Sequence, residues 1–139
     1  MTLEIRLFPC LNDNYGFLVR DTATGTVATV DTPDAAAILA ELERSGWGRL
    51  DLILNTHWHP GHTQGNAALQ AETGCEIVGP EEVRKAAPLD RVVRGGDTVM
   101  LGETVLEVSD APGHTLGHIV YRAPSDGQAF VGDVLFTLG

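Results

Sequence analysis

The sequence predicts an α/β (α+β) sandwich: two β-sheets packed face to face, with helices on the outside. Three observations predict it. Short apolar or alternating segments recur along the chain, giving about nine strands. Only two stretches carry good helical spacing. Sixteen Gly and seven Pro punctuate the segments into short elements. Many strands with few helices are best buried as two layered sheets, the helices covering an outer face.

The elements follow in order. Leu3, Ile5 and Leu7 alternate with Glu4 and Arg6, the period of a half-buried strand. Asn12, Asp13 and Asn14 form a turn cluster, and residues 15–20 read as the next strand. Ala23, Thr24 and Gly25 turn the chain into a strand over 26–30, completing an antiparallel meander. Ala35, Ile38, Leu39 and Leu42 then take helical spacing. Thr32 is the expected N-cap, Pro33 the first helical residue and Gly46 the stop. A short apolar strand follows at 50–54. Residues 62–73 read as one Ala-rich helix closed by Gly74. A strand is expected at 76–78, a helical turn at 80–86, and strands at 98–101, 104–109, 117–122 and 128–132.

No repeat, linker or low-complexity stretch interrupts the 139 residues, which read as a single domain over 1–139. A chain of this length buries roughly two-thirds of its unfolded surface, enough for a core. Nine Lys and Arg against nineteen Asp and Glu give a formal charge of −10. That balance argues against a nucleic-acid partner, which needs a basic face, and against docking on an anionic membrane. No apolar run reaches the roughly 18 residues of a membrane span. The early Glu4 and the absence of a long apolar segment argue against a secretory signal. Two cysteines, Cys10 and Cys75, make no disulfide framework, so reduced thiols in a cytoplasm are expected. As nucleophiles both are poor candidates, and Glu76 is expected to raise the pKa of Cys75.

The five histidines are confined to two motifs. His57, His59 and His62 lie in HWHPGH after a strand; His114 and His118 lie in PGHTLGH before one. Imidazole is the commonest metal ligand, and zinc takes three or four N, S or O donors. In H-x-H the side chains converge where the backbone is extended or turning, and Asn55, Thr56, Pro60 and Gly61 supply turn chemistry. A third histidine from the distant motif would complete a set. Asp133, at a strand end after Gly132, could bind one metal or bridge two; read alone, it is a turn aspartate.

With those residues in view, the sequence resembles the metallo-β-lactamase superfamily, and within it the glyoxalase II (hydroxyacylglutathione hydrolase) branch. The resemblance rests on FPCLNDNYGFLV at 8–19, VDTPDAAAI at 30–38, NTHWHPGH at 55–62, GNAAL at 65–69, APGHTLGHIVY at 111–121 and GDVLFTLG at 132–139. It implies an αββα sandwich with a two-metal cleft at the sheet edges. It further implies that His57, His59 and His114 hold the first metal, that Asp133 bridges both, and that His62 serves the second. His118 matches a position that supports the ligands without touching metal. The implied reaction is hydrolysis of a glutathione thiolester, with a metal lowering the pKa of its water toward about 7.

The sequence departs from that pattern in three ways. Where H-x-H-x-D-H carries a ligand aspartate, this chain has Gly61, which has no side-chain donor. Pro60 and Gly61 also suit positions i+1 and i+2 of a type II turn. The family's last histidine ligand and its glutathione-binding helices lie beyond the motif at which this sequence stops. The expectation is therefore an incomplete sandwich and an impaired hydrolase, with one zinc site rather than two and with iron or manganese as other metals. An uncovered second sheet would favour self-association. Two further readings stand beside it. One is a mononuclear iron sulfur dioxygenase using His57, His114 and Asp133; the other is a non-catalytic fragment or remnant.

Overall fold

A computed structural model describes residues 3–10, 14–111, 117–131 and 134–137. The first sheet contains β1 (Leu3–Cys10), β2 (Asn14–Asp21), β3 (Val27–Val30), β4 (Leu52–Leu54), β5 (Glu76–Gly79) and β6 (Arg91–Val92), in that spatial order. The first three pair antiparallel, as the expected meander. β3 through β6 pair parallel. The crossovers carry α1 (Ala35–Ser45) between β3 and β4, then α2 (Pro60–Thr63) and α3 (Asn66–Thr73) between β4 and β5. The second sheet is wholly antiparallel, from β7 (Thr98–Leu101) through β8 (Thr104–Asp110), β9 (Ile119–Ala123) and β10 (Gln128–Val131) to β11 (Val134–Thr137).

The core has two layers because the middle strands of the first sheet are buried on both faces. Phe17, Val19, Ala28, Val30, Leu52 and Leu54 face the second sheet, meeting Leu101, Leu106, Ile119, Tyr121 and Phe130. Their neighbours Leu18, Val27, Ile53 and Ile77 face the other way, onto Ile38 and Leu42 of α1 and Leu69 of α3. A strand buried on both faces reads as a continuous apolar run, which is how Leu52–Leu54 looks in the sequence. On the second sheet's outer side, Met100 and Val105 are cross-strand partners and stay exposed, at 51% and 44%.

Two carboxylates tie the sheets together. Asp21 accepts from Thr24 N and Oγ1 in the turn after β2, and from Glu103 N and Thr104 Oγ1 at the β7–β8 turn. Asp126 accepts the amide of Leu3 at 2.7 Å, joining β1 to the turn before β10.

Several sequence expectations are corrected. The N-cap of α1 is Asp34, whose carboxylate accepts from Ala37 N, so Pro33 precedes the cap. Thr32 is committed elsewhere: its hydroxyl donates to Asn66 Oδ1 at 2.7 Å. The helix expected over 62–73 breaks at residues 64 and 65. There Gly65 N donates to Thr32 O at 3.0 Å, and a Cβ on Gly65 would lie 3.0 Å from Thr32. Tertiary contact, not helix propensity, sets that break. Residues 60–63 form one helical turn instead of a type II turn, with His62 N donating to His59 O at 2.8 Å. The strand expected from residue 117 starts at Ile119; Gly117 N donates to Glu82 at 2.7 Å instead of to the β8 ladder. β6 is a two-residue exposed strand, too short for any period to show, and the terminal apolar run supplies β11. No described helix is long and apolar enough to cross a membrane.

Candidate metal centre

The centre is built where β3 and β4, adjacent and parallel, end side by side. Asp31 follows β3 with φ of 59°, an unusual conformation for a residue other than glycine. It is held there by its amide, which donates to Leu54 O at 2.9 Å. The twist turns its carboxylate under the loop that follows β4. Oδ1 accepts the amide of Thr56 at 2.8 Å. Oδ2 accepts the Thr56 hydroxyl at 2.7 Å and faces His62 Nδ1 at 2.9 Å. Asp31 is 2% exposed.

The proton count fixes two imidazoles. A hydroxyl has one proton, and Thr56 gives it to Asp31. Its oxygen therefore accepts from His57 Nδ1, 2.9 Å away. His62 Nδ1 likewise donates to Asp31, which as a carboxylate can only accept. In the neutral form both rings therefore carry their proton on Nδ1 and their lone pair on Nε2, the tautomer a metal ligand needs when its other nitrogen donates to a supporting group.

His57 is the hub. It is 1% exposed, with ring centroids of His62, His118 and His59 at 4.2, 4.6 and 5.0 Å. One donor atom from each of Asp31, His57 and His62 falls within 4.8 Å of the others, a span compatible with a shared ion. Asp31 already accepts three hydrogen bonds, so its part is to anchor the two histidines. His59 lies outside that tight group; its ring stacks edge-on to Trp58 at 4.8 Å. The ring of His118 lies against that of His57. Gly61 sits within α2, between His59 and His62 in sequence. His114 and Asp133 lie outside the described residues.

Buried amides and hydroxyls brace the loop. His62 O accepts from Thr32 N at 2.8 Å and from Asn55 Nδ2 at 3.2 Å. Asn66 Nδ2 donates to Asn55 Oδ1 at 2.6 Å. From the second sheet, the Tyr121 hydroxyl donates to Asn55 O at 2.7 Å. Burial, with Asp31 nearby, pushes the Tyr121 phenol well above its usual pKa and keeps it a donor. Sequence reasoning missed Asp31, Thr56, Asn55, Asn66 and Tyr121 as site residues. They stand inside or beside the motifs, but their pairing exists only in the fold. The Cys75 thiol is also raised, chiefly by burial and next by nearby Asp90 and Asp51, not by Glu76 as the sequence suggested.

The sequence model of the metallo-beta-lactamase superfamily matches residues 17–139. The chain belongs to this superfamily. Among curated relatives, this metallo-beta-lactamase-family chain is 52% identical over 138 residues to a hydroxyacylglutathione hydrolase of Hyphomonas neptunium. It is 49% identical over 137 residues to the one of Erythrobacter litoralis. Each alignment covers 99% of this chain and 54% of the relative, so the chain spans about half the length of the curated relatives it matches. Among solved structures, ETHE1 from Myxococcus xanthus superposes with a TM-score of 0.74 at 29% identity, over 87% of this chain and 54% of that one. The B3 metallo-beta-lactamase BLEG-1 gives 0.83 at 19% identity, over 96% and 74%, and shows the shared fold alone. Superfamily membership implies metal binding, and the donor chemistry of His57 and His62 fits it.

Proposed function

We propose that the chain forms the metal-binding part of a glyoxalase II-type thiolester hydrolase, which converts an S-2-hydroxyacylglutathione to glutathione and a 2-hydroxy acid. The observation that carries this reading is the Asp31–Thr56 anchor, which gives His57 and His62 the same ligand tautomer. The 52% identity to a hydroxyacylglutathione hydrolase supports the substrate class.

Zinc is the proposed metal, with His57, His59 and His114 as its proposed ligands and Asp133 and His62 as the further candidate ligands. We propose one ion rather than two, because Gly61 offers no side-chain donor between His59 and His62. Bound zinc supplies Lewis acidity, acidifying water and polarising the thiolester carbonyl. The chain's own groups hold the arrangement. Thr56 keeps the proton on His57 Nδ1, and Asp31 keeps His62 from turning. Asn55 and Thr32 fix the His62 carbonyl. In the net reaction water adds to the thiolester carbon, the C–S bond breaks, and the thiolate takes up a proton. A reduced cytoplasmic setting fits the buried, free Cys75.

Iron and manganese accept the same donors, and iron would fit the sulfur dioxygenase alternative. Metal analysis of the purified protein separates them. The functional test is steady-state hydrolysis of S-lactoylglutathione with zinc present. Hydrolysis that His57→Ala abolishes supports the proposal; zinc-independent hydrolysis, or hydrolysis untouched by His57→Ala, overturns it.

A further inference from the structure

Glu82 lies in a one-turn 3₁₀ segment, Glu81–Lys85, that follows β5. Its neighbour Glu81 is exposed and pairs with Arg84 at 3.0 Å, an ordinary surface ion pair. Glu82 turns inward instead. One carboxylate oxygen accepts the amide of Trp58 at 3.2 Å, and the other accepts the amide of Gly117 at 2.7 Å. Trp58 stands between His57 and His59. Gly117 precedes His118 and follows His114 by three residues. A single carboxylate, 24 residues from one partner and 35 from the other, therefore joins the two histidine motifs.

Three further facts sharpen its role. The segment is firmly based, since Val83 is fully buried and its amide donates to Pro80 O at 3.0 Å. Lys85 Nζ lies 5.4 Å over the Trp58 ring, so the same turn holds Trp58 by its amide and by its indole. Gly117 is shaped for the contact: a Cβ there would lie 2.7 Å from Glu82 Oε1. The motifs are also joined by Ile119 N donating to Thr56 O at 2.9 Å. That bond pins one end of the pair of loops, and Glu82 pins the end nearer His59 and His114 in sequence. A carboxylate suits the task because it accepts two amides at once and donates to neither.

We infer that Glu82 is a positioning residue for the metal centre, setting the spacing between the two histidine motifs. This rests on the metallohydrolase reading above. The test measures zinc binding by calorimetry on the intact protein, the absorption spectrum of its cobalt(II)-substituted form, and amide exchange at Trp58 and Gly117. Glu82→Gln keeps the size but turns a donor toward one amide. Glu82→Ala removes both acceptors. Groups that orient ligands are worth 10- to 100-fold in metal affinity, so we expect zinc binding about 10-fold weaker in Glu82→Gln and about 100-fold weaker in Glu82→Ala. Both should change the cobalt spectrum and lose exchange protection at the two amides. Gly117→Ala should weaken zinc on its own but add nothing in the Glu82→Ala background, because the clash it causes is with the side chain already removed. If Glu82→Ala does not fold, Glu82→Gln decides. Wild-type affinity and an unchanged spectrum in the Glu82 variants, while His57→Ala loses zinc, overturn this inference and leave the proposed function standing. A wild-type protein that binds no zinc overturns both.

Discussion

Asp31 Oδ2 lies 2.9 Å from His62 Nδ1, although 31 residues separate them in sequence. The contact exists because β3 and β4 are parallel neighbours that end at the same level, with Val30 opposite Leu54. The residue after one strand thus orients a histidine in the loop after the other.

Replacing Asp31 by Asn tests that contact with little change of shape. Asn tolerates the positive φ, so backbone strain is not added. Its single oxygen cannot serve all three donors: the nitrogen end would face either the Thr56 amide or the Thr56 hydroxyl and His62, leaving at least one donor without its acceptor. We expect stability to fall by about 1–3 kcal/mol, as for a buried donor left unsatisfied. Zinc affinity should fall about 10- to 100-fold. Denaturant unfolding and calorimetry read the two effects; an unaltered affinity would remove Asp31 from the site.

Restoring a carboxylate at Gly61 tests the metal count. Gly61→Asp would add a donor between His59 and His62, giving a second ion three proposed protein groups with His62 and Asp133. Zinc stoichiometry should rise from about one toward two per chain. Paired titration of both proteins checks this. Two ions tightly bound by the wild type, or equal stoichiometry in both, would contradict it.

Tyr121→Phe should weaken the link between the second sheet and the site loop. The Asn55 carbonyl would lose a buried donor at 2.7 Å. The expected loss is about 1–3 kcal/mol in denaturant unfolding. No loss would mean that the loop relaxes to satisfy the carbonyl elsewhere.

Asp21 makes stability depend on pH. Burial pulls its pKa up, but the hydrogen bonds from Thr24, Glu103 and Thr104 outweigh that and hold it below the ordinary carboxylate value. A group depressed in the folded state contributes stability above its unfolded pKa, about 3.9, and loses it as pH falls through the folded value. Asp21→Asn should therefore be less stable than wild type near neutrality, with the gap narrowing below about pH 4. Unfolding midpoints measured from neutral to acid pH check the trend; a constant gap would refute it.

The sequence by itself determined the meander, α1, four of the five strands described in the second sheet and the grouping of histidines, since each is written in local period or spacing. It also determined that position 61 has no donor to offer, because glycine has no side chain. The tertiary structure decided the rest. It moved the N-cap to Asp34 because Thr32 is drawn to Asn66, and it broke the 62–73 helix where Gly65 meets Thr32. It chose the tautomers of His57 and His62 through Asp31 and Thr56, and it brought Glu82 between two motifs that never adjoin in sequence. The physical reason is the same throughout: side-chain periodicity is a property of neighbours along the chain, whereas a buried hydrogen bond needs a partner that only the packed sheets supply.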